Sequence, residues 1–346
     1  MDFGLMRNLK NQYIKTAQNT YLKNFNSFLF HRLKYYTDLS VDSTGVIDSR
    51  ILKYLAPRIT RDEFNKKLQE ISNTRSRFII LITTKDRKQT LNNTIDSVTK
   101  STFTDWHIVL VDNGNDGTCK LFENDPKITA MPLNQITGCA FLARNIGLDV
   151  IDLAKRRNPI NIEQQYLIIL DSDDTLTDRF SLEKLSRLID VHKIKPPAMV
   201  HGFCNYVYNY EDGSCRIGTY PEYFTNNLPE VTSLSGFFNK GPNILSAAIR
   251  LDYILNLRYP QEFSFEDNAL NHKLLYRINE NRDDIVCGNF SVVTKVWGFN
   301  SIAGENDKTG NSNLESSLCG IKVTGERAKI VSYLKLLDKF FIDVGL

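Results

Sequence analysis

Three short apolar runs constrain the fold most, because each of them stops abruptly at polar residues. The runs are RFIILI, WHIVLV and YLIIL, and they start at Arg77, Trp106 and Tyr166. Runs of this kind are typical of strands that are buried on both faces, as in parallel sheets. TLNNTIDSVTKS and GCAFLARNIGLDVIDLAKRR lie between the runs and have the apolar spacing of helices. This alternation predicts an α/β fold in which helices flank a mainly parallel central sheet.

Polar side chains follow all three predicted strands. Ligands of open α/β sheets bind where the carboxyl ends of parallel strands meet. We therefore expect the side chains at these ends to converge in one site. They lie at Thr83–Arg87, Asp112–Asn115 and Asp171–Asp174.

The third strand end, LDSDD, is an acidic cluster of three aspartates within four positions, Asp171, Asp173 and Asp174. Like charges this close repel one another, and burial beside an apolar strand adds to the cost. A divalent cation would neutralise the cluster, and its hard oxygen ligands suit Mg²⁺ or Mn²⁺. Short acidic runs also solvate loops or cap helices, so the run by itself leaves both interpretations open.

The chain beyond residue 195 has a less regular pattern. PPAMVHGFCNYVYNY predicts another strand, and FSFEDNALNHKLLYRI predicts a helix whose start carries Glu266 and Asp267. AGENDKTGNSN is polar and glycine-rich, which is typical of a loop, and a last helix is predicted over residues 326–341. We expect three regions: a helical N-terminal extension at 1–75, the α/β domain at 76–305, and a mobile loop with a C-terminal helix at 306–346.

The N-terminal extension carries an amphipathic pattern. Apolar residues recur every four positions from Leu5 to Leu33, which predicts one helical stripe. Residues 1–40 also hold six Lys or Arg against two Asp. Three interpretations stay open: the stripe packs on the main domain or on a second subunit of a homo-oligomer, it lies on an anionic membrane surface, or it offers a basic platform to a polyanion.

Composition argues against several classes of protein. Lys and Arg number 43 against 40 Asp and Glu, so net charge does not indicate a nucleic-acid binder. The six cysteines form no C-x-x-C pair, which argues against a zinc site and favours reduced thiols in a cytosol-like compartment. No apolar run reaches the roughly 18 residues of a membrane span. No signal peptide is evident either. We expect a cytoplasmic protein, peripheral at the inner face of the membrane if the stripe binds lipid.

Five motifs, in order along residues 77–302, resemble those of the GT-A glycosyltransferases of family 2. IILITTKDRKQTLNNTIDSV is similar to the first strand and helix of that family, and DWHIVLVDNGNDGT to its second strand and acidic base-binding turn. GCAFLARNIGLD resembles the Gly-x-x-x-x-Ala-Arg-Asn-x-Gly segment. YLIILDSDD resembles the Asp-x-Asp segment, and FSFEDNAL the Glu-Asp acceptor-side motif. The resemblance implies a Rossmann-like GT-A fold, extended by the N-terminal helical region and the C-terminal helix.

The resemblance implies a nucleotide diphosphate sugar as donor, with UDP as the expected nucleotide. Asp112 would accept the N3 proton of uracil, although the frequent Asp-Asp of the family reads Asp112-Asn113 here and a turn cap is the alternative role. Arg144 would bind phosphate oxygens, and an ion pair with a neighbouring Asp on the domain surface is the alternative role. Lys85 and Arg87 are expected to point to water. The full set that the resemblance assigns to the donor is Thr83, Asp86, Asp112, Asn113, Arg144, Asn145, Asp171, Lys295 and Trp297.

The resemblance also assigns the metal and the acceptor chemistry. Asp173 is the first choice as ligand of Mn²⁺ or Mg²⁺, with Asp171 and Asp174 beside it, and the ion would offset charge on the departing diphosphate. Asp267 would act as general base on the acceptor hydroxyl, with Glu266 next to it, in an in-line displacement that inverts the anomeric centre. Acids also favour helix N-termini, and both roles are compatible.

The acceptor is expected to be a glycan or a cell-surface polymer, and a non-glycan polyanion such as modified DNA is the alternative. Nucleotidyl transfer would need a glycine-rich loop after the first strand, and ITTKDRKQT contains no glycine. The motifs of P-loop kinases and of Rossmann oxidoreductases are also absent from the sequence. A non-catalytic nucleotide-sugar-binding module would keep the fold without the chemistry, and the intact acidic motifs argue against it.

Overall fold

The computed structural model describes most of the chain between residues 55 and 297. At residues 140–141, 206, 208–209, 215–220 and 297 it describes the backbone alone. The described residues are 55, 58–133, 140–159, 162–192, 195–209, 215–220, 244–259, 270–271, 274, 277–278, 281 and 283–297.

The described residues belong to the larger of two compact units, which is formed by Ser43–Tyr259 and Leu270–Phe299. The smaller unit consists of Met1–Asp42, Pro260–Ala269 and Asn300–Leu346. The predicted N-terminal stripe, Glu266, Asp267, the loop at 303–313 and the last helix therefore lie outside the described residues.

Nine strands form one mixed sheet in the part of the chain that the structure describes. The strands are β1 (Phe78–Thr84), β2 (Trp106–Asp112), β3 (Ile128–Pro132), β4 (Tyr166–Asp171), β5 (Thr175–Leu176), β6 (Met199–Asn209), β7 (Cys215–Tyr220), β8 (Ala247–Arg250) and β9 (Ile285–Trp297). Neighbours follow the order β3-β2-β1-β4-β8-β6-β9-β5, and β7 pairs with β6 beside this path. The first four strands of this order run parallel, whereas β8 is antiparallel to both β4 and β6.

Helices cover both faces of the sheet. They are α1 (Arg61–Asn73), α2 (Lys88–Thr99), α3 (Ala140–Arg157), α4 (Ser181–Val191) and the short α5 (Leu251–Ile254). Ile79 and Leu81 of β1 share a buried cluster with residues of α1 and α3, while Ile80 and Ile82 share another with residues of α2 and α4. Alternate side chains of a strand point to opposite faces, so a strand covered on both sides is apolar throughout. None of the described helices is both long and apolar enough to cross a membrane.

Helix α1 starts at a capping box and packs into the same core as the sheet. The Thr60 hydroxyl accepts from the backbone N–H of Glu63 at 3.2 Å, and the Glu63 carboxylate accepts from the N–H of Thr60 at 2.7 Å. The apolar face of the helix, Phe64, Leu68 and Ile71, is fully buried. Helix α1 and the sheet lie in the same compact unit.

The predicted α/β class is confirmed, and so are the individual strands β1, β2, β4 and β6 and the helices α2 and α3. The sequence analysis did not predict β3, β5 or β8. The sequence of β3 is ITAMP and that of β8 is AAIR, and neither is long enough to show a pattern of its own. Both are strands because they pair with β2 and with β4.

Candidate active site

The carboxyl ends of β1, β2 and β4 lie side by side. The strand register pairs Thr84 with Asp112 and Thr83 with Asp171. The expected convergence of these strand ends is therefore confirmed. Thr83 is half-buried there, whereas Lys85, in the turn that follows β1, is exposed to solvent as expected.

The carboxylate of Asp112 organises the turn after β2. Its Oδ1 accepts from the backbone N–H of Gly114 at 2.9 Å, and its Oδ2 accepts from the N–H of Cys119 at 3.1 Å. Burial raises the pKa of the Asp112 carboxyl, and these two hydrogen bonds oppose the rise. The carboxylate thus performs the alternative role of a turn cap. Each oxygen of an ionised carboxylate has a further lone pair, so the cap does not prevent Asp112 from accepting a ligand proton.

The turns after β1 and β2 interlock at Asp86 and Gly114. Asp86 has a φ of 52°, a left-handed conformation that costs a residue with a side chain about 1 kcal/mol. Its Oδ1 accepts from the N–H of Asn115 at 2.9 Å. A Cβ at position 114 would lie 2.6 Å from both the backbone N and Oδ1 of Asp86. Only glycine therefore permits this close approach. The neighbouring Asn113 is buried and donates its N–H to the carbonyl of Thr84 at 2.8 Å.

Two cations from distant parts of the chain bind the acidic cluster after β4. Arg144 of α3 donates through Nη2 to Oδ1 of Asp171 at 2.6 Å. Lys295 of β9 lies between two carboxylates, with its Nζ 3.2 Å from Oδ2 of Asp171 and 2.8 Å from Oδ2 of Asp174. These side chains are almost fully buried except that of Asp171, which is 22% exposed. The ammonium of Lys295, which the resemblance assigns to the donor site, lies inside the acidic cluster.

The surroundings of Asp171 and Asp174 shift the pKa values of these two carboxyl groups in opposite directions. Burial opposes ionisation of Asp171, but the adjacent Arg144 and Lys295 hold the pKa of that carboxyl well below its usual range. Burial raises the pKa of Asp174, which shares its lysine with Asp171 and is repelled by that charge. Asp171 is therefore the ionised member of the pair, and Asp174 is the one that more readily holds a proton.

Asp173, the residue expected first as metal ligand, pairs with Arg87. Arg87 immediately precedes α2, and the expectation that its side chain points only to water is wrong. The two side chains are 31% and 27% exposed, so this ion pair lies at the mouth of the cluster rather than inside it. Of the three aspartates, Asp173 is therefore the one whose partner side chain is most exposed to solvent.

The aspartates of the acidic cluster fit one kind of divalent-cation site and not another. No three His, Cys, Asp or Glu side chains converge as a metal site among the described residues. Mg²⁺, however, is commonly held by one or two carboxylates together with substrate phosphates. The partly exposed oxygens of Asp173 and Asp171 fit this second type of site, provided that Arg87 leaves Asp173.

The side-chain amide of Asn145 is hydrogen-bonded to the backbone of Tyr259 at both of its ends. Its Nδ2 donates to the carbonyl of Tyr259 at 2.9 Å, and its Oδ1 accepts from the N–H of the same residue at 2.8 Å. The amide thus clamps the backbone of Tyr259, whose ring lies 5.4 Å from the guanidinium carbon of Arg144. Helix α3 approaches the sheet closely, because a Cβ at Gly147 would lie 2.3 Å from a methyl of Leu81. The helix and the clamp together fix Arg144.

Several functional contacts were missed by sequence reasoning. The Arg87–Asp173 pair joins residues 86 positions apart, and the Asn145–Tyr259 clamp joins residues 114 apart. One signal was present: an acidic cluster at a buried strand end needs counter-charges, and Arg87 follows the neighbouring strand. The side chain of Trp297 lies outside the described side chains, and Glu266 and Asp267 lie outside the described residues.

Comparison with known proteins agrees with this geometry. Residues 79–233 match the family model described as Glycosyl transferase family 2, and this segment contains the three strand ends. The match identifies residues 79–233 as a domain of the glycosyltransferase family 2 type. Tyr259 and Lys295 lie outside the matched segment. No curated protein gives a significant sequence match to the chain.

The chain is also similar to solved glycosyltransferase structures at low identity. S. aureus TarS 1–349 in complex with UDP-GlcNAc is 17% identical with a TM-score of 0.47, over 64% of this chain and 58% of that chain. The same TarS fragment in complex with UDP is 18% identical with a TM-score of 0.48, over 77% and 70%. The mannosyltransferase PcManGT from Pyrobaculum calidifontis, in complex with GDP-Man and Mn²⁺, is 10% identical with a TM-score of 0.44, over 90% and 87%.

Proposed function

We propose that this glycosyltransferase moves a sugar from a nucleotide diphosphate sugar, with UDP as the nucleotide, to an acceptor hydroxyl with inversion. One observation carries the proposal: the Asp112 turn, Arg144 and the acidic cluster share one edge of the sheet. The edge thereby offers a carboxylate for the base and a cation for phosphate. The cluster adds ligands for a metal.

The base would bind at the turn after β2. Uracil carries an N3 proton that a carboxylate accepts, and Asp112 is held in place by the N–H groups of Gly114 and Cys119. Cytosine has no proton at N3 and would place a lone pair against the carboxylate. Guanine has an N1 proton, so Asp112 by itself excludes cytosine more strongly than guanine.

The diphosphate would lie between Arg144 and the outer part of the acidic cluster. Arg144 is fixed by Asp171 and by the ring of Tyr259, so its guanidinium is preorganised before substrate arrives. A divalent cation held by Asp173 and Asp171 would supply Lewis-acid stabilisation of the charge on the departing diphosphate. Lys295 keeps Asp171 in position through its contact with Oδ2.

The acceptor hydroxyl needs a general base, and Asp267 is proposed for that role with Glu266 beside it. A carboxylate that takes the proton as the oxygen attacks raises the nucleophilicity of that oxygen. Attack opposite the leaving diphosphate inverts the anomeric centre without a covalent enzyme intermediate. The proposed acceptor is a glycan or a cell-surface polymer.

A screen of nucleotide sugars tests the function directly. Purified protein is incubated with UDP-, GDP- and CDP-linked sugars and Mn²⁺, and release of the nucleoside diphosphate is measured with and without EDTA. We expect release from UDP-sugars that EDTA stops and that added Mn²⁺ or Mg²⁺ restores. An acceptor array with the best donor then identifies the hydroxyl. A protein that binds and hydrolyses none of these donors would contradict the proposal.

Replacement of Asp267 by Asn tests the proposed base. We expect Asp267→Asn to lower the rate of transfer by at least about 100-fold, because a positioned base contributes about 10²–10⁴ to the rate. Calorimetric affinity for UDP should stay unchanged, since donor contacts are assigned to other residues. Asn92→Asp, on the exposed side of α2, is the matched control and should keep the wild-type rate of transfer. Full transfer activity in Asp267→Asn would remove this residue from the mechanism.

A further inference from the structure

Arg58 contacts the proposed base-binding turn from outside the family segment. Its Nη1 donates to the carbonyl oxygen of Gly114 at 2.8 Å, and its Nη2 contacts Oδ1 of Asn115. The segment that matches the family model starts at residue 79, so Arg58 lies outside it. The planar fork of arginine suits such a double contact with two neighbouring acceptors.

The backbone that carries Arg58 is anchored in the core. The N–H of Arg58 donates to the carbonyl of Leu55 at 2.9 Å. Leu55 and Ile59 are 0% and 6% exposed, and both belong to the buried cluster that also contains Val109 and Val111 of β2. The guanidinium therefore extends from a backbone that is packed against the same strand whose turn it contacts.

Arg58 completes the hydrogen bonding of this turn. The N–H of Gly114 donates to Asp112, and the N–H of Asn115 donates to Asp86. Arg58 then binds the carbonyl of Gly114 and the side-chain carbonyl of Asn115. Because Oδ1 of Asn115 accepts from Arg58, the orientation of the amide is fixed and its Nδ2 keeps the donors.

The fixed amide gives the turn a defined pattern of hydrogen-bonding groups. Asp112 contributes an acceptor, and Nδ2 of Asn115 contributes a donor. Uracil presents the complementary pair, a donor at N3 and an acceptor carbonyl next to it. Cytosine presents the reverse pair, an acceptor at N3 and a donor amine. An amide free to rotate could pair either with the carbonyl of uracil or with the amine of cytosine, whereas an amide held by Arg58 pairs only with the carbonyl.

We propose that Arg58 is a specificity-determining residue for the nucleobase of the donor, acting through Gly114 and Asn115. This inference rests on the proposed function, since it assigns the same turn to base recognition. Arg58 itself is a positioning residue, and its effect is on the choice between uracil and cytosine rather than on catalysis.

Calorimetric titration of UDP and CDP, with Mn²⁺ present, tests the proposal. We expect the wild-type protein to bind UDP at least about tenfold more tightly than CDP, because a mispaired polar group in a site costs at least one hydrogen bond. In Arg58→Gln the ratio should fall to about threefold or less, mainly through tighter CDP binding, because the released amide can accept from the cytosine amine while Asp112 keeps the remaining preference for UDP. Lys66→Gln removes an exposed charge from α1 and should keep the wild-type ratio.

Thermal unfolding of the three proteins separates recognition from support of the fold. An unaltered ratio of the two affinities in Arg58→Gln would overturn the inference alone. Equal weakening of UDP binding and CDP binding in Arg58→Gln would also overturn it, because that result assigns Arg58 only a role in supporting the fold. A lower Tm of Arg58→Gln would accompany that result. Wild-type protein that binds neither nucleotide would sink the proposed function together with this inference.

Discussion

Asp171 accepts hydrogen bonds from two cations that come from different parts of the chain, Arg144 on α3 and Lys295 on β9. A carboxylate of this kind, left without its partners, costs about 3–5 kcal/mol in a buried environment. The acidic cluster therefore does not depend on a ligand for its neutralisation, because the chain supplies the counter-charges. Asp173 lies at the mouth of the cluster, and a metal ion that binds it would have to displace Arg87.

Removal of Arg87 should strengthen metal binding. The Arg87–Asp173 pair is about one-third exposed, and such pairs are worth up to about 1 kcal/mol. Arg87→Ala removes this competitor, so we expect about fivefold tighter binding of Mn²⁺ in the presence of UDP. Loss of the free-Mn²⁺ signal in electron paramagnetic resonance measures the affinity independently of turnover.

The matched control for this experiment is Lys85→Ala. Lys85 lies two positions before Arg87, is exposed, and loses the same charge on substitution. We expect it to leave the Mn²⁺ affinity close to that of the wild type, since exposed charges are well screened at physiological salt. Equal shifts in the two variants would indicate a general charge effect and contradict the displacement of Arg87 from Asp173.

At the scale of elements, the clamp between α3 and the chain at Tyr259 holds the helix that supplies Arg144. Asn145→Ala leaves the N–H and the carbonyl of Tyr259 without these partners in a buried place, at about 1–3 kcal/mol for each unsatisfied group. We expect a loss of about 3 kcal/mol in the free energy of unfolding, measured with urea. UDP affinity should fall as well, because Arg144 loses part of its support.

Asn145→Asp sharpens this test. The aspartate keeps an acceptor for the N–H of Tyr259, but it places a second oxygen against the carbonyl that Nδ2 now serves. We expect it to be at least as destabilising as Asn145→Ala. Asn92→Ala, at an exposed position of α2, should leave stability unchanged within about 0.5 kcal/mol. Full stability of Asn145→Ala would show that the clamp contributes nothing.

Some of these elements and contacts could be predicted from the sequence, and others could not. The runs of β1, β2 and β4 were predictable because burial on both faces makes each strand apolar on its own. The strands β3 and β8 were not, because their pairing with neighbours, and not their own residues, makes them strands. Site positions were predictable at strand ends. The contacts of Arg87, Asn145 and Lys295 were not, since their partners are distant in sequence.

At the scale of the whole molecule, buried histidines make the folded state sensitive to acid. Burial, together with the charge of Lys155 and against that of Asp125, lowers the pKa of His107 to about 4. Burial lowers the pKa of His201 to about 3, against a hydrogen bond with the backbone of Gly202. The unfolded chain, in which histidine has a pKa near 6.5, binds these protons more readily. Stability is therefore fully present above about pH 6.5 and is lost as the pH falls toward 4.

His107→Gln should remove its share of this acid sensitivity. His107 lies on β2 with its Nε2 2.9 Å from the hydroxyl of Thr129, and glutamine offers a neutral polar group for the same contact. One pKa unit corresponds to 1.36 kcal/mol, so protonation of the unfolded state costs the wild type about 2 kcal/mol between pH 7 and pH 5 through this residue.

Asp112 and Asp174, whose pKa values are raised by burial, act in the opposite direction, and they do so in both proteins. The difference between wild type and variant in urea unfolding at the two pH values therefore isolates His107. His192→Gln, at a half-exposed position after α4, is the matched control. The same loss of stability between pH 7 and pH 5 in wild type and His107→Gln would contradict the prediction, and would mean that the buried ring gains a proton without opening the sheet.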